Sequence, residues 1–175
     1  MEKNNTESAP VQRPEITKAT VNDIDGMAKV QHDTWIATYP NEEQGVTADY
    51  IMQRVSNSQT PERKDFWKES LNRKDTGVWV AKYKGKVVGF CVMKKTGTYN
   101  SLEAIYVLPG NQGGGAGPEL IEAALPWGDK DKDTRVEVAS YNERAINFYK
   151  KYGFVLSEET GQSGNIPTVI MLKRA

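Results

Sequence analysis

One stretch, Ser101 to Trp127, limits what this chain can fold into more than any other. It opens SLEAIYVLP. Apolar and β-branched residues dominate Leu102 to Leu108 and Pro109 stops the run, so it reads as a buried strand. GNQGGGAG follows at residues 110–117. PELIEAALPW then sets Leu120, Ile121, Ala124 and Leu125 on one helical face, and Pro118 suits a first helical position, where the N–H that proline lacks has no partner anyway. A strand, a glycine-rich turn and a helix in this order bring free backbone N–H groups and the positive end of a helix dipole to one point. That point suits a phosphate or pyrophosphate. Glycine lets the backbone approach a ligand closely and adopt positive φ.

Spacing narrows the kind of loop. A Walker loop ends in Gly-Lys-Ser/Thr, which is absent here. A dinucleotide fingerprint needs GxGxxG, and Gly113, Gly115 and Pro118 do not supply it. The pattern present is Gln112-x-x-Gly115-x-Gly117 after Val-Leu-Pro.

Composition excludes several classes. The 23 basic and 23 acidic residues cancel, so no basic excess points to nucleic acid. No apolar run approaches membrane-spanning length, and MEKNNTESAP has no hydrophobic segment. Cys91 is the one cysteine, so no internal disulfide forms; in its hydrophobic strand it reads as inert core. These features predict a soluble cytoplasmic protein. With 175 residues, the chain reads as a disordered tail at 1–13 and a single domain at 14–175.

Along the chain, Ile16 to Ala19 reads as a first strand. Thr20 and Asp23 cap a helix through Ile24, Met27, Trp35 and on toward Tyr39, stopped near Pro40. Thr47 caps a second helix, Ala48 to Val55, and Phe66, Trp67 and Leu71 mark a third. Val78–Tyr83 and Lys86–Met93 form a hairpin about Lys84-Gly85. Arg135–Ala139 is a strand, Asn142 caps a helix carrying Ala145, Phe148, Tyr149 and Tyr152, and Gly153 stops it. Phe154–Ser157 and Thr168–Leu172 are the last strands. The elements predict an α/β (α+β) architecture: one mixed sheet with helices on both faces.

Asn142-x-x-Ala145-x-x-Phe148-Tyr149-x-x-x-Gly153-Phe154 is the second motif. With Gln112-x-x-Gly115-x-Gly117 before it, the chain resembles the GNAT superfamily of N-acetyltransferases, whose acetyl-CoA pyrophosphate loop reads Gln/Arg-x-x-Gly-x-Gly/Ala. The resemblance covers roughly Ile16 to Leu172, with the specific motifs in the second half. It implies a mostly antiparallel sheet of about seven strands, splayed at the acetyl-CoA site. It implies direct acetyl transfer from acetyl-CoA to an amine, with no metal. Cofactor contacts would come from Ile105, Tyr106, Val107, the loop residues Gln112, Gly113, Gly114, Gly115, Ala116 and Gly117, and from Asn142, Ala145, Phe148 and Tyr149.

The implied chemistry assigns further roles. A lysine-type amine is protonated at neutral pH and must lose that proton before it attacks. A carboxylate working through water is the usual acceptor. Glu103, on the central strand, and Glu137, in Val-Glu-Val twelve positions before Tyr149, are equal candidates. Alternation sets Glu103 on the face of Ile105 and Val107, opposite Leu102 and Ala104. A backbone N–H near Tyr106 or Val107 would stabilise the oxyanion. Tyr149 occupies the family's tyrosine position and would protonate the leaving thiolate; a buried core tyrosine is the alternative. His32, the one histidine, reads as a helix-surface group.

Three positions depart from the family pattern. Gly114 stands where many members carry Lys or Arg, Pro118 removes a donor, and Pro126 falls at the end of the helix. Trp35-Ile36-Ala37-Thr38-Tyr39-Pro40 resembles a segment of bacterial members related to polyamine acetyltransferases, so Trp35 and Tyr39 are expected to line one wall of the acceptor cleft, with a core position for both as the alternative. Glu42 and Glu43 suit attraction of a cationic amine or a solvated loop equally. The acceptor expected is a small amine or polyamine. A protein N-terminus or lysine is the alternative acceptor, and a catalytically weak CoA-binding module the alternative function. No nucleic-acid or membrane partner is expected, and the family resemblance admits a homodimer.

Overall fold

The computed structural model describes residues 13–175, so the tail expected at 1–13 lies outside the description except for Arg13. Seven strands form one sheet in the order β1-β2-β3-β4-β5-β7-β6. These are β1 (Glu15–Lys18), β2 (Thr76–Tyr83), β3 (Lys86–Lys95), β4 (Asn100–Val107), β5 (Thr134–Ala139), β6 (Val155–Ser163) and β7 (Ile166–Lys173). Only β4 and β5 pair in parallel; every other pair is antiparallel. The expected mixed, mostly antiparallel sheet is therefore present.

The β2–β3 hairpin turns on Lys84 (φ 49°) and Gly85 (φ 76°). Both residues are left-handed, the combination that matches strand twist in a two-residue turn. The β6–β7 hairpin is longer than the sequence pattern suggested. Glu158–Ser163 continues β6 although it is polar. An edge strand with mostly exposed side chains carries no apolar alternation to read.

Five helices cover the sheet: α1 (Ile24–Thr38), α2 (Ala48–Val55), α3 (Pro61–Asn72), α4 (Ala116–Ala124) and α5 (Glu143–Lys151). On one face, Ile24, Met27 and Val30 of α1 and Trp67 of α3 pack on Val78, Val80 and Phe90. On the other, Leu120, Ile121 and Ala124 of α4 and Tyr149 of α5 pack on Cys91, Met93, Leu102 and Val136. A third cluster joins α1 and α2 to the ends of β5 and β7 through Val46, Ile51, Ala139 and Ile166. The connection between parallel β4 and β5 runs through α4.

Two details of α4 differ from the sequence reading. The helix begins at Ala116 rather than Pro118, with Gly115 as its N-cap. Pro118 is the third helical residue, still within the turn whose N–H groups have no partner in the helix. Pro126 lies in a separate 3-10 turn after α4 has ended, so it breaks no α-helical hydrogen bond.

The feature that shapes the centre is a β-bulge. Val92 pairs with Ala104 and Met93 with Leu102, which leaves Glu103 without a partner on β3. The extra residue resets the alternation. Leu102 packs in the same core as Ile105 and Val107, while Ala104 and Tyr106 pack in the opposite one. The expected opposition of Leu102 to Ile105 and Val107 does not hold, because period-two counting fails across a bulge.

Candidate active site

β4 and β5 are joined only at their starts. Asn100, Ser101 and Leu102 pair with Thr134, Arg135 and Val136, and no pairing continues beyond. The strands part where the bulge falls. A cavity of about 440 Å³ occupies the gap, with Glu103–Val107 on one side and Val136–Ala139 on the other. Gln112, Gly113, Gly117 and Pro118 line it at the glycine-loop end, and Asn142, Ala145, Phe148 and Tyr149 line it from α5.

Parity tells which backbone groups face the gap. The Leu108 N–H donates to Val88 O at 2.8 Å, toward β3. Alternate residues of a strand point alternate ways, so the Tyr106 N–H also faces β3, whereas those of Ile105 and Val107 face the gap. The Val107 carbonyl follows the same rule: it accepts from Gln112 Nε2 at 3.1 Å. Of the two N–H groups the sequence offered, only that of Val107 is directed into the cavity.

The loop is built to present donors. Gly113 (φ 87°) and Gly115 (φ 90°) are left-handed, and a Cβ on either would meet nothing within 4 Å. The N–H groups of Gly113 and Gly115 find no acceptor among the described residues. Those of Ala116 and Gly117 have none within α4, since they begin it. Gly117 itself is helical, and a Cβ there would touch the Phe148 ring at 3.5 Å. Its lack of a side chain keeps the cavity wall thin; backbone strain plays no part.

Two residues from outside, Arg144 and Tyr83, brace this loop. Asn142 caps α5 by accepting from the Ala145 N–H at 3.1 Å. The Gln112 amide bridges two elements: it donates to Val107 O and accepts from Arg144 of α5. The Tyr83 hydroxyl donates to Gly114 O at 2.6 Å. Arg144 also lines the cavity mouth. The sequence reading passed over Arg144 and Tyr83. The signal for Arg144 was its place two residues after the Asn142 cap, in the helix facing the loop; Tyr83 gave none, because its contact crosses the fold.

Tyr149 lies 7% exposed, with ring centroids 5.3 Å from Phe148 and 5.6 Å from Phe154. Its hydroxyl has no hydrogen-bond partner among the described residues, and burial pushes its pKa far above the ordinary phenol value. Tyr39 and Tyr106 line the same cavity, and burial raises both phenols as well. Trp35 does not line the cavity. It stacks edge-on behind Tyr39 at 4.8 Å, in the α1–α2 cluster. Glu42 and Glu43 sit in an exposed turn away from the cavity.

Glu137 lines the cavity from β5 and accepts from the Thr168 hydroxyl at 2.5 Å. Glu103 has no side-chain partner among the described residues. The bulge puts it between this cavity and a second one of about 300 Å³ on the α1–α3 face. His32 lies outside both, with Nδ1 2.9 Å from Asp33 Oδ1. Cys91 is fully buried, and burial raises its thiol pKa.

A parted pair of parallel strands, closed at one end by a donor-rich glycine loop, makes a site for a phosphate-bearing ligand with an extended arm. The sequence pattern of the acetyltransferase (GNAT) family matches residues 34–154, and the chain belongs to that family. Its fold is shared with paia N-acetyltransferase from Thermoplasma acidophilum, solved in complex with coenzyme A. That likeness has a TM-score of 0.75 at 21% identity and covers 94% of this chain and 100% of that one. A GCN5-related N-acetyltransferase from Rhodopseudomonas palustris has a TM-score of 0.68 at 17% identity, covering 96% and 99%. A GNAT-family acetyltransferase from Bacillus cereus has a TM-score of 0.64 at 16% identity, covering 93% and 98%. No curated protein matches the chain in sequence. The protein is an N-acetyltransferase with acetyl-CoA as its acetyl donor.

The residues present fit that donor. The uncommitted N–H groups of the loop and α4 suit a pyrophosphate. The open space over Gly113 and Gly115 leaves it room, and the gap beyond accommodates an extended thioester arm. No helix among the described residues is long and apolar enough to cross a membrane.

Proposed function

We propose that the acetyl group passes directly from acetyl-CoA to the nitrogen of a small primary amine, within the gap between β4 and β5. The observation that carries this reading is the parting of the strands after Leu102 and Val136, which exposes inward-facing N–H groups beside two carboxylates and a buried tyrosine. Gln112, Gly113, Gly115, Ala116, Gly117 and Asn142 hold the CoA arm. Arg144 supplies the cation that Gly114 lacks. A side chain at 114 would place its Cβ 3.0 Å from the Tyr83 hydroxyl and press on the bond that oxygen makes to Gly114.

The chemistry needs three groups. The amine loses a proton before or as it attacks, and Glu103, unpaired at the bulge, accepts it through water. Glu137 already accepts from Thr168, which favours Glu103 as the base. The Val107 N–H donates to the oxyanion of the tetrahedral intermediate. Tyr149 stays protonated because it is buried, and it donates to the thiolate as the C–S bond breaks. The polyamine acceptor expected from the Trp35–Tyr39 resemblance loses support, because Trp35 lies behind Tyr39 and outside the cavity, while a cytoplasmic location belongs to the same proposal.

The test is an acceptor panel of spermidine, amino acids, aminoglycosides and peptides, read by free thiol and by the mass of the acetylated product. Stoichiometric thiol and acetyl-amine with at least one small amine supports the reading. Transfer to peptides alone contradicts it.

A further inference from the structure

The second cavity has a wall unlike the first. It opens beside the gap, and Glu103, Ala104 and Tyr106 line both. Its other walls carry three cations, Arg63 from α3, Arg73 just after that helix and Lys94 from β3, against Glu103 as the one carboxylate. Arg73 is committed: its Nε and Nη2 meet the Asp75 carboxylate at 2.9 and 2.6 Å. Arg63 and Lys94 have no carboxylate oxygen within 4.0 Å among the described residues.

Arg63 is the more telling of the two. Its guanidinium lies over Phe66 at 4.5 Å and over Trp67 at 5.4 Å, which fixes it against the wall. It is partly withdrawn from water, and that desolvation lowers its pKa without removing its charge. A desolvated cation without a counter-ion is costly unless something completes it. Gln31, Phe66, Trp67 and Phe90 complete its walls.

We propose that this cleft holds the tail of the acceptor and that the tail carries an anionic oxygen group, bound by Arg63 and Lys94, with the amine directed to Glu103. The proposal rests on the acetyl-transfer reading above and names its substrate class: a small amine bearing a carboxylate or phosphonate-type group. The neutral nitrogen attacks the thioester carbonyl carbon. A C–N bond forms and the C–S bond breaks, with its electron pair leaving on sulfur. The proton shed by nitrogen passes to Glu103, the thiolate takes one from Tyr149, and exchange with water restores both groups. The products are an amide and the free CoA thiol. A polyamine would instead bring a second ammonium against this wall, where like charges repel.

The experiment compares 6-aminohexanoate and 4-aminobutyrate with hexylamine, 1,6-diaminohexane and spermidine, in the wild type, Arg63→Gln and Lys68→Gln. Lys68 is on the same helix and outside the cleft, so its variant controls for lost charge. The wild type should prefer the amino acids over the matched alkylamine by about 10- to 100-fold in kcat/KM, the worth of one charge-assisted contact. Arg63→Gln should abolish that preference mainly through KM, Lys68→Gln should keep it, and Arg63→Lys should restore part. Adding 3-aminopropylphosphonate distinguishes the two anion types. Calorimetry with hexanoate reads the anion site without any transfer: it should bind the wild type and not Arg63→Gln. A preference for spermidine or the diamine overturns the inference and leaves acetyl transfer standing. Equal hexanoate affinity in both proteins overturns the role of Arg63. No transfer to any amine, with hexanoate still selective for the wild type, upholds the anion site and removes the transfer reading.

Discussion

The Tyr83 hydroxyl and the Gly114 carbonyl lie 2.6 Å apart, which ties the end of β2 to the middle of the glycine loop. A Cβ at position 114 would lie 3.0 Å from the same oxygen, so a side chain there would push on this bond. This chain carries no cation at 114 and holds the loop there through the bond.

Removing the bond should loosen the loop. Tyr83→Phe deletes one net hydrogen bond of about 0.5–1.5 kcal/mol. Acetyl-CoA must then order the loop as it binds. Its Kd, read by calorimetry, should rise by roughly 2- to 12-fold while kcat changes little. An unchanged Kd would mean the loop is held without Tyr83.

The two key glycines should fail differently. Gly117→Val projects branches from the first turn of α4 into the cavity wall beside Phe148, so acetyl-CoA binding should be lost in a folded protein. Gly115→Ala meets open space but must adopt φ 90°. It should cost about 1–2 kcal/mol and lower Tm by roughly 2–8 °C, with weaker but measurable binding. Equal affinity loss in both variants would contradict this division.

Much of this site was legible because its demands are local. A loop that must offer N–H groups and adopt positive φ needs glycine at Gly113 and Gly115, and the Asn142 cap with the Phe148-Tyr149 pair follows helical spacing. What escaped depends on pairing between strands. The bulge at Glu103 is invisible in the sequence because it exists only relative to β3, yet it reverses the faces of the following residues. Trp35 follows the same logic: helical spacing set it one turn from Tyr39, but only the packing of α2 shows that it sits behind the wall. Arg63 drew no notice, because an exposed-looking arginine in a polar helix has no sequence mark of a cleft.

The carboxylates can be told apart by pH. If Glu103 is the base, Glu103→Gln should lose turnover mainly at low pH, where neutral amine is scarce. It should recover partly as pH rises toward the amine pKa of about 10.4. Glu137→Gln can keep its Thr168 contact, so its rate should fall less and without that slope. A flat loss across pH in Glu103→Gln, with a sloped loss in Glu137→Gln, would exchange the two roles.

Tyr149→Phe removes only a hydroxyl from a ring that packs on Phe148 and Phe154, so Tm should hold. A positioned proton donor is worth ~10²–10⁴ in rate. We expect kcat to fall within that range while acetyl-CoA affinity stays within severalfold. Burial raises the phenol pKa, so the hydroxyl remains protonated through neutral and mildly alkaline pH. The wild-type rate should show no alkaline fall below the ordinary phenol value of about 10 that belongs to this residue. Retained kcat with a good amine would assign the thiolate's proton to water or to the amine.

Direct transfer in the gap is tested most simply by initial rates of thiol release as acetyl-CoA and amine are varied together. The only cysteine is buried in the core and its thiol is held protonated, which leaves no nucleophilic thiol in the cavity. The account predicts intersecting double-reciprocal lines, no thiol burst without amine, and one acetylated amine per thiol. A burst equal to the enzyme concentration in the absence of amine, with parallel lines, would establish an acetyl-enzyme and contradict it.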